Sequence, residues 1–265
     1  MAPVFDFDKL IADGSPPPLP TQRGKRPRYD FAVGQLDPES FPTSHLHEAT
    51  KYAMENHAWD MVTYPHVQGL PALRELITNK LKRDRGMNID PDQVVITPGS
   101  GQVLALIIRL FTNPGDTLIT EEYTYTAVLD YMQRAGADVL GVAMDDDGLI
   151  PEALDQTIKD AIAKGKSPKF IYTIPTFQNP VGSDMSGPRR QEIIDVATKH
   201  GIPIFEDDCY ADLRFDGEPS PSIFSMDDSD MVLYSGSFSK ILGPGMRLAW
   251  MVLPPTLVPR INALQ

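Results

Sequence analysis

The amino-acid sequence predicts an α/β fold: three layers, αβα, around a mainly parallel sheet. Two observations predict it. From about residue 43 onward, short β-branched runs alternate with segments whose apolar residues recur at helical spacing. The residues with the most reactive side chains directly follow the strand-like runs. Ligands bind at this position in parallel sheets, so we expect a binding site at one sheet edge.

Strand-like runs and helical segments follow one another along most of the chain. The runs at 93–97, 117–120, 137–142, 170–174, 203–205 and 231–234 are short and rich in β-branched or apolar residues. Helical patterns lie at 70–83, 103–111 and 188–200, and in the first of these Leu73, Ile77 and Leu81 recur at helical spacing. Strands separated by helices are typical of parallel sheets with both faces covered.

The composition is that of an ordinary globular protein and excludes several classes. The chain has 265 residues and a net charge of −12, from 24 basic and 36 acidic residues. A general nucleic-acid binder would carry a basic face instead. The single cysteine, Cys209, excludes an internal disulfide, and no apolar run reaches the ~18 residues of a membrane span. The N-terminus lacks a secretory pattern, so we expect a cytoplasmic protein that binds neither nucleic acid nor membrane.

Two N-terminal features have simple structural interpretations. The proline-rich, basic segment 15–28 is interpreted as an extended arm or linker, with an SH3-type ligand as the alternative. His45, His47 and Glu48 suggest a metal site, but a helix start with solvated histidines is favoured. No metal is predicted.

The stretch PGSGQ at 98–102 ends a strand and opens a helix. Small residues expose N–H groups at a helix N-terminus, where the helix dipole favours an anion such as phosphate. Many turns between a strand and a helix are rich in glycine only for tightness, so this motif alone is weak.

Three further turns carry candidate ligand contacts, each with a structural alternative. Asp207 and Asp208 follow Glu206 at a strand end, where they either cap a helix or pair with a protonated ligand nitrogen. Asn179 precedes a proline and either builds the turn or hydrogen-bonds a ligand oxygen. Tyr125 either packs in the core or stacks on a flat ring.

Lys240 and Arg247 lie in SGSFSKILGPGMR, among serines and glycines that leave room for a ligand. The lysine alone suits a phosphate contact, a Schiff-base nucleophile or a surface position. Together with the preceding turns, in their chain order, it specifies a flat ligand with a phosphate, a basic ring nitrogen and an aldehyde. Pyridoxal 5′-phosphate has this structure.

The combined motifs resemble the fold-type I pyridoxal-phosphate enzymes, aminotransferase class I/II, in the branch of 2-aminoadipate, kynurenine and aromatic aminotransferases. The matching stretches are FAVGQLDPESFP (31–42), YPHVQGLPALRE (64–75), ITPGSGQ (96–102), EEYTYTA (121–127), PTFQNPVG (175–182), EDDCYADL (206–213) and SGSFSKILGPGMRLAW (235–250). They cover nearly the whole chain. The resemblance implies the large domain of the PLP-dependent transferase fold type I.

The resemblance implies a role for each matching residue. Lys240, Asp207 and Tyr210 are the implied catalytic residues, placed at the cofactor aldehyde, the ring nitrogen and the ring hydroxyl. The other implied cofactor contacts are Tyr125 stacked on the ring, Asn179 at its hydroxyl, and Ser100, Gly101, Gln102, Ser237, Ser239 and Arg247 around the phosphate. Tyr64 is expected to reach the phosphate of the neighbouring subunit in a homodimer. Gly34 and Asn179 are expected to contact the substrate.

The implied reaction moves an amino group between an L-amino acid, aromatic or 2-aminoadipate-like, and a 2-oxo acid such as 2-oxoglutarate. One alternative is a lyase or decarboxylase that uses the same cofactor. Another is a truncated homologue that binds pyridoxal phosphate without full transaminase activity. A regulator that carries this domain is disfavoured because a short proline-rich segment precedes the family core, and a scaffold because the lysine is intact.

The resemblance also implies a domain division. Residues 1–42 are expected to form an N-terminal arm and small-domain segment, and residues 43–253 the cofactor-binding large domain. Residues 254–265 are expected to begin an interdomain helix. The C-terminal small domain of the family is expected to be absent here, either because the chain is a truncated piece or because the homologue is shortened.

Overall fold

The structure is a computed structural model that describes residues 5–11, 15, 18, 28–29 and 34–265. The chain divides into two compact units, Met1–Gly34 and Gln35–Gln265. In the first unit, the described residues include a 3₁₀ helix at Asp8–Leu10 and the rings of Phe5 and Phe7, whose centroids lie 4.9 Å apart. The predicted arm at 15–28 lies almost wholly outside the described residues.

The strands of the second unit are β1 (Val94–Thr97), β2 (Thr117–Glu121), β3 (Asp138–Val142), β4 (Met144–Asp145), β5 (Gly148–Leu149), β6 (Pro168–Thr173), β7 (Ile204–Asp207), β8 (Val232–Ser237) and β9 (Ala249–Val252). Its α-helices are α1 (Thr43–Asn56), α2 (Ala58–Val62), α3 (Pro71–Arg85), α4 (Ser100–Phe111), α5 (Thr126–Arg134), α6 (Pro151–Ala163), α7 (Gly187–His200), α8 (Ile223–Met226) and α9 (Val258–Asn262). Short 3₁₀ helices lie at Pro38–Ser40, Pro91–Gln93, Ala211–Leu213 and Pro244–Met246.

Seven strands form one sheet in the order β1-β9-β8-β7-β6-β2-β3, and β4 pairs with β5 separately. The pairs β2–β3, β2–β6, β6–β7 and β7–β8 are parallel. β9 is antiparallel to both of its neighbours, β1 and β8, so β1 has the same direction as the rest of the sheet. The prediction of a mainly parallel sheet is confirmed. The sequence analysis missed β9, which follows β8 after a glycine-rich turn and a short 3₁₀ helix rather than an α-helix.

Helices cover both faces of the sheet, which confirms the three-layer prediction. On one face, side chains from β1, β2, β6, β7, β8 and β9 form a core with α4, α5 and α9. On the other face, the alternate residues of the same strands pack against α3, α6, α7 and α8. In β7, for example, Phe205 faces the first core and Ile204 the second, as expected from the period of two along a strand.

The boundary between the two compact units lies after Gly34, whereas the sequence analysis placed a domain boundary after residue 42. Residues 38–42 belong with the larger unit because they lead into α1, and because the ring of Phe41 lies 3.3 Å from where a Cβ of Gly243 would stand. At the other end, α9 packs on the core through Val258 and Ile261. The division at residues 42 and 253 remains a prediction.

Candidate functional site

The carboxyl ends of β1, β2, β6, β7 and β8 share one edge of the sheet, since these strands have the same direction. Most of the predicted site residues lie in the turns that follow these ends. They are Ser100, Gly101 and Gln102 after β1, Tyr125 after β2, Asn179 after β6, Asp207 and Tyr210 at the end of β7, and Ser237, Ser239 and Lys240 at the end of β8. The fold therefore collects residues that are far apart in the sequence.

Asp207 is the last residue of β7 and is only 3% exposed. The alternation along the strand puts it on the face of Phe205, which is the face that α4 covers. The Tyr172 hydroxyl donates a hydrogen bond to Oδ2 at 2.8 Å. Oδ1 is buried and has no hydrogen-bond partner among the described residues. Burial raises the pKa of Asp207 to about 6, and the hydrogen bond from Tyr172 lowers it in part.

Tyr210, Asn179 and Lys240 lie close to one another at this edge of the sheet. The Asn179 Nδ2 donates to the Tyr210 hydroxyl at 2.9 Å, and the Lys240 Nζ lies 5.6 Å from the centroid of the Tyr210 ring. Burial raises the pKa of Tyr210, so its hydroxyl remains protonated and can donate a hydrogen bond. The turns after β6, β7 and β8 thus bring an amide, a phenol and an amine to one place.

The N-terminus of α4 offers an anion site. No side chain caps the helix, which begins after Gly99 at a φ of 97°. The Arg247 guanidinium crosses Gly99 so closely that a Cβ there would lie 2.2 Å from Nη2, and this nitrogen donates to the Pro98 carbonyl at 3.1 Å. The guanidinium and the helix dipole therefore act on the same space.

The two predicted serines extend this edge of the sheet. Ser237 ends β8, and its hydroxyl accepts a hydrogen bond from the Ser239 N–H at 3.1 Å. Both residues are buried. Their strand pairs with β7 so that Ser235 lies opposite Asp207.

Three further predicted contacts are Tyr125, Tyr64 and Gly34. Tyr125 precedes α5 and is 39% exposed, and burial and the charge of Asp207 raise its pKa. Tyr64 lies between α2 and α3 and is fully exposed. Gly34 belongs to the first compact unit.

Two of the three consecutive acids at the end of β7 face away from the site. Asp208 forms an ion pair with Arg85 at 2.7 Å and accepts a hydrogen bond from the Tyr234 hydroxyl at 3.0 Å. Glu206 accepts from the N–H groups of Ile223 and Phe224, at 3.0 and 2.8 Å. The turn considered alone left Asp207 and Asp208 equivalent, and the family resemblance selected Asp207. The strand alternation places the two acids on opposite faces of the sheet.

The sequence analysis also missed two buried partners. Tyr172 was treated only as part of the strand-like run FIYTI, although a hydroxyl within an apolar run is a signal that it has a polar partner. Arg190 is fully buried in α7 and lies 3.9 Å from Glu206. A charged residue at a helix position that faces the core carries a similar signal.

These residues fit pyridoxal phosphate. The buried and unpartnered Oδ1 of Asp207 suits a protonated ring nitrogen, because the resulting ion pair would satisfy it. The uncapped N-terminus of α4 beside Arg247 suits a phosphate. Lys240 supplies an amine for the aldehyde. Among the described residues, no group of three or more His, Cys, Asp or Glu side chains is arranged to hold a metal ion.

Comparison with known proteins identifies the family. Residues 28–265 match the family described as Aminotransferase class I and II. The chain belongs to this family. The resemblance inferred from the motifs is thereby confirmed, together with the fold type and with pyridoxal phosphate as the cofactor of the family.

Individual relatives show how similar this chain is to them and how much of their length it covers. Aromatic-amino-acid aminotransferase 1 of Thermococcus litoralis is 35% identical over 232 residues, which are 88% of this chain and 56% of that protein. The crystal structure of Pyrococcus horikoshii kynurenine aminotransferase in complex with PMP is 35% identical, with a TM-score of 0.83 over 88% of this chain and 57% of that one. An uncharacterized HTH-type transcriptional regulator of Bacillus subtilis, YdfD, is 34% identical over 89% of this chain and 47% of its own. The chain thus spans about half the length of these relatives.

The helices of the described residues are all too short or too polar to cross a membrane.

Proposed function

We propose that the protein is a pyridoxal-phosphate-dependent aminotransferase that moves an amino group between an L-amino acid and a 2-oxo acid. An aromatic or 2-aminoadipate-like donor and 2-oxoglutarate as the acceptor are the proposed substrates, supported by the names of the relatives. The observation that carries the proposal is the buried, unpartnered oxygen of Asp207 at the same sheet edge as Lys240. Asp208 and Glu206 each form an ion pair with an arginine, at 2.7 and 3.9 Å, whereas Asp207 has no such pair among the described residues.

The cofactor supplies an aldehyde that condenses with amines and a ring that accepts an electron pair. In this proposal Lys240 holds the cofactor through its Nζ and then carries a proton to and from the substrate carbon. Asp207 keeps a proton on the ring nitrogen through its free oxygen. Burial disfavours an isolated negative charge on Asp207. The charged carboxylate is therefore most stable beside a positively charged ring nitrogen.

The remaining residues bind and orient. Tyr210 and Asn179 hold the ring hydroxyl, with Asn179 also near the substrate, and Tyr125 stacks on the ring. The proposed phosphate contacts are Ser100, Gly101, Gln102, Ser237, Ser239 and Arg247. We assign Gly34 to the substrate carboxylate.

We also propose a cytoplasmic homodimer in which Tyr64 reaches the phosphate site of the neighbouring subunit. Support comes from apolar side chains that α1, α2 and the following segment leave exposed: Tyr52, Met54, Trp59, Met61, Val62 and Tyr64. An apolar patch of this kind is typical of an interface. Small-molecule amino acids and 2-oxo acids are the proposed partners, and the acidic net charge of −12 disfavours nucleic acid.

Replacing the lysine tests the function. Titration with pyridoxal phosphate, reduction with borohydride and peptide mass spectrometry should place a covalent adduct on Lys240 in the natural sequence. Lys240→Ala should show no adduct and should lose turnover by about 10²–10⁴-fold or more, since a positioned proton carrier contributes that much. Lys166→Ala, at a partly exposed lysine outside the site, is the matched control. An unchanged adduct pattern in Lys240→Ala contradicts the proposal.

The products separate the proposed reaction from its alternatives. With an aromatic amino acid and 2-oxoglutarate, glutamate formation indicates transfer, whereas ammonia or carbon dioxide indicates a lyase or decarboxylase. A chain that forms the adduct at Lys240 but gives no product would be a homologue that binds the cofactor without full activity.

A further inference from the structure

Glu121, the last residue of β2, is a buried carboxylate to which the sequence analysis assigned no role. It is 1% exposed, and four groups donate hydrogen bonds to it. Oε1 accepts from the Thr173 hydroxyl at 2.6 Å and from the Ile174 N–H at 2.9 Å. Oε2 accepts from the Gln178 Nε2 at 3.0 Å and from the Thr124 hydroxyl at 3.2 Å. Burial raises the pKa of Glu121, and each of these donors lowers it again.

The four donors belong to two different turns of the site. Thr173, Ile174 and Gln178 come from the end of β6 and the turn that leads to Asn179. Thr124 comes from the turn that leads to Tyr125. The Gln178 Nε2 also donates to the Tyr123 carbonyl at 2.6 Å, so the two turns are joined directly as well as through Glu121.

Two of the residues held by this carboxylate lie next to proposed cofactor contacts. Gln178 precedes Asn179, which holds the Tyr210 hydroxyl, and Thr124 precedes Tyr125. The Gln178 side chain is itself fixed, since its Oε1 accepts from the Val181 N–H at 2.9 Å. Glu121 and the bond from Gln178 to the Tyr123 carbonyl together therefore link the turns that carry Tyr125 and Asn179.

The chemistry of the donors requires a carboxylate at this position. Each oxygen of Glu121 receives one N–H that can only donate, from Ile174 on one side and Gln178 on the other. A glutamine would have to present its own NH₂ to one of them. A 180° rotation of the Gln178 side-chain amide would remove this contact between two donors. It would also break the hydrogen bonds of that amide to Tyr123 and Val181.

We propose that Glu121 is a positioning residue that fixes the two turns carrying Tyr125 and Asn179 at the spacing of the cofactor ring. The inference rests on the proposed function for the identity of the ring. A carboxylate within a rigid, fully satisfied network holds neighbouring groups more tightly than loop backbone alone.

The first measurement needs no cofactor. Hydrogen exchange of Glu121→Gln should be faster than in the natural sequence at residues 122–126 and at residues 174–182 together. The matched control is Asp227→Asn, because Asp227 also receives an obligate N–H on each oxygen, from Ser229 and from Met231, and lies near the opposite end of β8 from Ser237. That control should speed exchange near residues 229–232 only. Exchange that is unchanged, or faster in only one of the two turns, overturns the inference.

The second measurement is the affinity for pyridoxal phosphate. Glu121→Gln should weaken binding by about tenfold, which one unpaired buried hydrogen bond accounts for, and Asp227→Asn should leave it unchanged. In a double-mutant cycle with Asn179→Ala, the effect of Glu121→Gln should shrink to about threefold or less, because it acts partly through Asn179. Additive effects would mean a general loss of structure and would overturn the inference.

Two further outcomes are distinguishable. If Glu121→Gln gives no soluble protein, Thr173→Val removes a single hydroxyl and should show the same two exchange changes and the same non-additivity at smaller amplitude. If the natural sequence binds no pyridoxal phosphate, the proposed function fails and the ring-spacing role fails with it. Exchange still reports whether Glu121 joins the two turns.

Discussion

Two neighbouring aspartates at the end of β7 lie on opposite faces of the sheet and have different partners. Asp208, on one face, has Arg85 at 2.7 Å and a hydrogen bond from Tyr234. Asp207, on the other face, has a hydrogen bond from Tyr172 but no ion pair among the described residues. Each of the two acids keeps one buried oxygen without a hydrogen-bond partner there. Burial raises the pKa of both carboxyls, but Arg85 lowers only that of Asp208. The comparison teaches that the acid with its cation belongs to the fold, and the acid without one is available for a ligand.

Removing the cation from the structural acid should have the largest effect. Arg85→Met leaves Asp208 buried without its charge partner, and we expect a loss of about 3–5 kcal/mol in the free energy of unfolding. Urea unfolding measures it. Arg83→Met, which breaks the exposed pair with Asp84 on the same helix, is the control and should cost less than about 1 kcal/mol. Equal losses would mean that Asp208 is not held by its arginine.

Neutralising Asp207, the acid proposed to bind the ligand, should increase the free energy of unfolding rather than decrease it. Folded Asp207 binds its proton more tightly than the unfolded chain does, because burial raises its pKa from 3.8 to about 6. Its contribution to stability is thus fully present below pH 3.8 and is lost as the pH rises through about 6. Without cofactor, Asp207→Asn should therefore be more stable than the natural sequence near neutral pH, by up to about 3 kcal/mol, with the advantage vanishing near pH 4.

The same variant should bind pyridoxal phosphate more weakly, because the neutral amide cannot hold a charged ring nitrogen. Urea unfolding at both pH values and a cofactor titration check the pair of effects. If Asp207→Asn is less stable than the natural sequence at neutral pH, burial of the charged carboxylate does not destabilise the fold and the prediction is wrong.

The smallest effect is expected from the two tyrosines that donate hydrogen bonds to Asp207 and Asp208. Tyr172→Phe and Tyr234→Phe each remove one hydroxyl that donates to an acid, at 2.8 and 3.0 Å, and each should cost about 1 kcal/mol of stability. Only Tyr172→Phe should also weaken the binding of pyridoxal phosphate, since its acid faces the cofactor. Equal cofactor affinities of the two variants would remove the distinction between the faces.

The sequence predicted the fold better than it predicted the details of the site. Apolar periodicity located α3, α4 and α7 and all but one strand of the main sheet, because such patterns are local. It missed β9, whose antiparallel place between β1 and β8 depends on pairing with residues far away in the chain. The sequence of the EDD turn did not show whether its aspartates cap a helix or bind a ligand, because the faces of a strand are defined only by what packs against them.

Side chains that act through other residues were beyond the reach of the sequence. Glu121 stands in EEYTYTA beside Tyr125, and its partners Thr173 and Gln178 are more than fifty positions away. Arg190 and Glu206 lie on different elements, α7 and β7, and meet only in the folded chain. Motifs show which groups touch a ligand; they do not show which groups hold the motifs in place.

The sequence by itself determined the order of strands and helices along the chain, the reactive residues in the turns between them, and the family to which they belong. The tertiary structure alone showed how Asp207 differs in its surroundings from its two acidic neighbours, and which buried carboxylate joins two turns of the site. The physical reason is that secondary structure follows from nearby residues. The partner of a buried charge is chosen by strand pairing and helix packing, which bring distant segments together.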